Sequence, residues 1–251
     1  MSPIRIAVLA NWESWFPNHT FLVQSGKSKR TATVPSITIP LQVLERYATM
    51  LKLSSRTFRD IKRFFIKNSI HFLFFVKVWY GLSMRLTKVH TNRVRNFETL
   101  DEIPHSYGWG TRYKKDPLNG KLDYLTHPSR LAKNAELGDP FGDCDDHAIY
   151  WCVALLKGGF ARRTWFCIYQ MEKEDGSFSG HAICVFESAK DGMYYWCDYP
   201  LPNYLDEYRD KWPYRSAETY GANPICAGMI EVEAVREDDT PVFGEIIVLK
   251  L

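Results

Sequence analysis

Apolar residues recur at three- and four-residue spacing from Asp145 to Leu156, through Ala148, Ile149, Cys152, Val153, Leu155 and Leu156, and Gly158-Gly159 ends the run. This period predicts a helix with Asp143 at its N-cap, the carboxylate accepting a first-turn N–H. The period then shortens. Arg163 to Tyr169, Gly180 to Glu187 and Met193 to Asp198 are β-branched and aromatic runs. The turn-forming stretches Lys173-Glu-Asp-Gly176 and Ser188-Ala-Lys-Asp-Gly192 separate them, so antiparallel hairpins are expected. Ile225 to Val235 and Glu245 to Leu251 read as closing strands around the turn Asp238-Asp239-Thr240-Pro241. Together these elements predict an α+β domain.

The first third of the chain has a different pattern. Gln24 to Pro35 is a polar and basic loop or linker, and Leu41, Leu44, Ala48 and Leu51 mark a short helix over Leu41–Leu53. Gly26-Lys27-Ser28 lacks the earlier glycine and the strand-to-helix setting of a phosphate loop. From Arg56 to Gly81, Arg56, Arg59, Arg63 and Lys67 form a basic face, while Phe58, Ile61, Phe65, Phe72, Val76 and Trp79 form an aromatic one. Lys67, Asn68, His71 and Lys77 interrupt the apolar stretch, which falls short of the ~20 clean residues of a membrane span. A buried or docking helix is expected there, ahead of membrane-surface attachment and then of a true span. Leu201 to Gly221 holds Tyr204, Tyr208, Trp212, Tyr214 and Tyr220 among charges, a loop or short helix beside a cleft or an aromatic surface.

Charge divides the chain more sharply than its formal net of +3. Residues 1–100 carry 16 Lys+Arg against 4 Asp+Glu, a net of +12, and residues 101–251 carry 16 against 25, a net of −9. The expected division is a basic, mainly helical extension over 1–83 and a catalytic domain over 84–251. Such an extension fits an anionic partner or docking within the chain, with nucleic acid or a membrane surface as alternatives. The start, Met-Ser-Pro-Ile-Arg-Ile-Ala-Val-Leu-Ala, has too little apolar length for a signal peptide, so a cytoplasmic setting, or association with a phage particle, and reduced cysteines are expected.

Chemistry concentrates in three blocks: Gly142-Asp143-Cys144-Asp145-Asp146-His147-Ala148, Gly180-His181-Ala182 and Trp196-Cys197-Asp198-Tyr199-Pro200. Cys144 falls at the first helical position, where the helix dipole and exposed N–H groups favour a thiolate and an oxyanion. Asp143, Asp145 and Asp146 disfavour the thiolate, so activation has to come from an imidazolium. Hairpin register supplies one. With the turn near Lys190, opposed residues sum to about 379–381, which puts His181 opposite residue ~198–200 with Cβ atoms ~5 Å apart. Asp198 can then orient His181. Cys152, Cys167, Cys184 and Cys197 sit inside elements and read as inert buried thiols. Consecutive helical residues diverge by about 100°, which argues against a metal at Asp145-Asp146-His147, and His147 reads as solvent-facing.

These three blocks, with the lead-in Tyr113-Lys-Lys-Asp-Pro117, Asp123 and Pro128, resemble the transglutaminase-like superfamily of papain-type cysteine enzymes, in its bacterial and phage members. The resemblance covers roughly residues 105–200. It implies a nucleophile-bearing helix packed on an antiparallel sheet, a Cys144–His181–Asp198 triad, no cofactor, and a protein or peptide substrate. Trp109 and Tyr113 are the candidates for the family's oxyanion-stabilising side chain. The acyl acceptor stays open: water makes a peptidase or amidase, the favoured outcome, and an amine makes a transglutaminase. A structural or interaction module of a phage or bacterial assembly is the alternative.

Overall fold

A computed structural model describes residues 55–70, 73–90, 93–104, 112–113, 124–139, 141–198, 201–206 and 208–251. All belong to one compact unit, Leu53–Leu251. The expected Leu41–Leu53 helix, the 24–35 loop, Trp109 and most of the 113–123 lead-in lie outside the described residues.

The unit is α+β. Two helices, α1 (Ser55–Ser69) and α2 (Leu73–Thr87), come first. The two-residue strands β1 (Arg112–Tyr113) and β2 (Phe141–Gly142) pair in parallel, with α3 (Pro128–Glu136) between them in sequence. The helix α4 (Cys144–Lys157) then leads into β3 (Ala161–Lys173), β4 (Phe178–Ser188), β5 (Tyr194–Asp198) and β6 (Leu201–Asp206). After α5 (Trp212–Thr219), β7 (Ala222–Val235) and β8 (Pro241–Leu249) close the chain. The six long strands form one antiparallel sheet in the order β6-β5-β4-β3-β7-β8. Both expected hairpin turns carry a glycine in the left-handed region, Gly176 at φ 76° and Gly192 at φ 73°, where a Cβ would be strained.

Alternation along the strands gives the sheet two apolar faces. Phe166, Ala182, Cys184, Phe186, Ile230 and Val232 face α4, and Tyr80 and Met84 of α2 join the same cluster. Trp165, Cys167, Tyr169, Ile183, Val185 and Trp196 face the other way, against Trp212 and Ala217 on α5. Every residue of α4 from Asp145 to Leu155 is buried. A helix enclosed on all sides needs apolar residues all round, and from Ala148 onward this one has them.

The long basic and aromatic segment is two helices rather than one. The expected division at 83/84 falls within α2, whose Tyr80 and Met84 are both buried in the core. Gly228 on β7 allows the close seat: a Cβ there would meet Leu73 and Ile70. Arg59 and Arg63 of the basic face lie 3.8 and 3.4 Å from Glu172 on β3. Phe74, Phe75, Val78, Leu82 and Leu86 stay exposed along α2. No helix among the described residues is long and apolar enough to cross a membrane. The 201–221 segment, expected as a loop or short helix, holds the edge strand β6 as well as α5. Pro202 disguised that strand, and an edge position is where a proline is tolerated.

Candidate functional site

The helix α4 starts at Cys144, after the N-cap Asp143. Its first-turn chemistry differs from expectation. Asp143 makes no side-chain capping bond, and the N–H of Asp146 goes instead to Asp145 Oδ1 at 2.8 Å. Asp143 Oδ1 is buried with no hydrogen-bond partner. Asp146 is held from outside the helix, accepting from Thr126 N at 2.7 Å and Thr126 Oγ1 at 3.3 Å. His147 is not solvent-facing: it is 3 % exposed, and burial pushes its pKa down to about 4. The helix is walled in on that side, which its polar first turn did not reveal.

Asp143, Asp145 and Asp146 each offer a carboxylate oxygen within 4.8 Å of the others. The divergence expected of consecutive helical positions does not keep Asp145 and Asp146 apart, and Asp143, outside the helix, joins them. His147 is not part of the group. These are the described residues with a donor set suited to a hard cation.

His181 and Asp198 meet as the hairpin register required, though not face to face. Cys184 pairs with Cys197 and Val185 with Trp196. Carried one step further, that register sets Asp198 beside Ile183 and diagonal to His181 on the same sheet face. The diagonal is bridged by the side chains, with His181 Nε2 2.9 Å from Asp198 Oδ1. A third residue closes the group. Tyr220, the C-cap of α5, donates its hydroxyl to Asp198 Oδ2 at 2.7 Å and lies 3.1 Å from His181 Nε2, its ring edge-on to the imidazole at 5.0 Å. A carboxylate only accepts, so this geometry selects the tautomer with the proton on Nε2 and makes Nδ1 the basic nitrogen of the neutral ring.

Tyr169 lies behind the histidine. It is directly opposite His181 across β3 and β4, packs edge-on at 5.8 Å, and shares a 2.7 Å hydrogen bond with Ser216 on α5. Burial first, then the charges of Asp198 and Cys144, push its phenol well above the ordinary tyrosine range, while Ser216 opposes the shift. His147 in turn feels Asp143 and Asp198, both of which resist its lowering. The charges of Asp198 and Cys144 thus both bear on Tyr169, and those of Asp143 and Asp198 on His147.

The other five cysteines are buried thiols. Burial raises Cys152, Cys167, Cys184, Cys197 and Cys226 above the ordinary thiol value, whereas Cys144 is only half-buried. Of the two oxyanion candidates, Trp109 lies outside the described residues. Tyr113 pairs through its backbone with Gly142, two residues before Cys144. The sequence signalled Tyr220 only as one of several aromatics near a cleft, and Tyr169 and Ser216 gave no polar signal at all. No family model and no curated protein matches this chain.

Proposed function

We propose that this chain is a cysteine-nucleophile acyl-transfer enzyme with a transglutaminase-like core, acting on amide bonds of a protein or peptide. The observation that carries the reading is the His181–Asp198 pair, whose carboxylate occupies Nε2 and so turns Nδ1 into the base that a thiol at the start of α4 would address. Further support comes from the contrast between half-buried Cys144 and five buried thiols.

In the proposed reaction His181 takes the thiol proton and Cys144 Sγ attacks the amide carbonyl. The tetrahedral intermediate collapses with transfer of that proton to the leaving amine, giving a thioester. Water, deprotonated by the same imidazole, then releases the acid and restores the thiol. Asp198 holds the ring and stabilises the imidazolium at both stages. Hydrolysis is the favoured fate, and an amine acceptor would give an isopeptide product through the same thioester.

The test is labelling by a peptidyl vinyl sulfone, read by intact mass and peptide mapping. Modification confined to Cys144 and lost in His181→Ala is the expected result. Equal modification of several cysteines, indifferent to that substitution, sinks the reading.

A further inference from the structure

We infer that Tyr220 is a positioning residue of this site, fixing the Asp198 carboxylate and the His181 ring as one unit; the inference rests on the acyl-transfer reading above. The carboxylate presents two oxygens, and each has a different partner: Oδ1 faces His181 Nε2 at 2.9 Å and Oδ2 accepts from the Tyr220 hydroxyl at 2.7 Å. With both oxygens held, the carboxylate cannot rotate about its terminal torsion, which is otherwise broad and two-fold. The Tyr220 oxygen also lies 3.1 Å from Nε2. Its own proton is committed to Asp198, so toward the imidazole this oxygen can only accept. The Nε2 proton is then shared between two acceptors, and moving it to Nδ1 would leave both facing a nitrogen lone pair. The tyrosine thus reinforces the tautomer that leaves Nδ1 basic.

Its ring supplies a second constraint, lying edge-on to the imidazole at 5.0 Å, with Tyr169 edge-on at 5.8 Å. Both tyrosines are tied to α5. Tyr220 is that helix's C-cap, and Tyr169 shares its hydrogen bond with Ser216 at 2.7 Å. The chain leaves the helix through Gly221 at φ 57°, a turn that L side chains resist. Two strands carry the proposed base and its carboxylate, but a helix two elements later in sequence sets their orientation.

The full chain carrying Tyr220→Phe or Tyr220→Leu tests this with two readouts. The first is the 15N spectrum of the His181 ring, which does not depend on activity. Wild type is expected to show the Nε2–H tautomer alone, Tyr220→Phe a mixture, and Tyr220→Leu a larger mixture with a broadened signal. The second is the rate of Cys144 alkylation, expected to fall roughly tenfold in Tyr220→Phe from loss of one hydrogen bond to a charged group. Phenylalanine keeps the ring packing, so this variant is informative even if the leucine one does not fold. Ring signals identical in wild type and Tyr220→Phe overturn the inference, as does an unchanged alkylation rate in a chain whose Cys144 depends on His181. If Cys144 is no more reactive than the buried thiols in wild type, the acyl-transfer reading falls. The ring spectrum then decides Tyr220 alone: a shifted tautomer supports the positioning role and an unshifted one ends it.

Discussion

The two ends of α4 are built on opposite terms. At its C-terminal end Lys157 pairs with Asp239 Oδ1 at 2.6 Å and donates to the Val94 carbonyl. Asp239 is fully buried and also accepts from Val94 N at 2.7 Å. A cation at a helix C-terminus is favoured by the dipole, and each polar group of this cluster serves another. At the N-terminal end three carboxylates crowd within 4.8 Å, and one buried oxygen of Asp143 has no hydrogen-bond partner. Acidic residues suit the dipole there, but their mutual repulsion and burial work against folding. One helix therefore has an anchored end and a strained end, and the strained end bears the proposed nucleophile. Local conflicts of this kind collect at functional sites, where selection for chemistry outweighs selection for stability.

The largest effect that tests this contrast separates activity from stability. Cys144→Ala is expected to lower amide turnover by about 10⁴-fold or more while leaving the fold intact. Cys152→Ala, two turns further along and fully buried, is expected to lower the melting temperature and leave turnover within a few-fold. Turnover that survives in Cys144→Ala would break the comparison.

The anchored end comes next. Asp239→Ala strands the Lys157 ammonium and the Val94 N–H, and urea unfolding is expected to register a loss of about 3–5 kcal/mol. Asp239→Asn retains an acceptor and tolerates the φ of 65° at this position, so its loss should be smaller. Equal losses would mean that the charge is irrelevant.

His127, beside the anchored end, adds a pH dependence. As N-cap of α3 it accepts from Ser129 N at 3.1 Å through Nδ1, and its Nε2 lies 3.1 Å from Thr240 Oγ1, beside Asp239. Burial lowers its pKa to about 4. The folded chain refuses a proton that the unfolded chain takes up near pH 6.5. Stability from this group is thus complete above that value and lost as pH falls toward 4. His127→Asn keeps an N-cap acceptor without titrating, and should remove roughly 2–3 kcal/mol of the stability difference between pH 7 and pH 4.5. A variant as acid-sensitive as wild type would contradict this assignment.

The smallest effect concerns the strained end. Because the Asp143 side chain caps nothing, Asp143→Asn removes repulsion at no cost in hydrogen bonding. Chemical unfolding should show a change within about 1 kcal/mol, in the stabilising direction. A clear loss would reveal a partner for that carboxylate and narrow the difference between the two ends.

Local pattern was enough to locate α4 and five of the six long strands of the sheet. The helix after Asp143, the two hairpin turns with their glycines and the closing strands are all written in apolar periods of about 3.6 and 2 and in turn residues that act within a few positions. The approach of Asp198 to His181 was also legible, because an antiparallel hairpin converts sequence spacing into pairing. Cys144 at a helix start followed from the cap position, even though the cap itself is not made by Asp143.

The sequence could not say how elements far apart in the chain meet. Burial of His147, the hold of Thr126 on Asp146, the pairing of Lys157 with Asp239 and the seating of α2 on the α4 face depend on contacts across 20 to more than 80 residues. Nothing in local composition encodes them. The same is true of Tyr220. Its place in the sequence is that of one aromatic among many, and its hydroxyl reaches Asp198 only because α5 packs on the sheet face that carries His181. Sequence determined which residues could do chemistry and in which elements they lie. Tertiary packing decided their partners, because burial and long-range hydrogen bonding are properties of the folded chain as a whole.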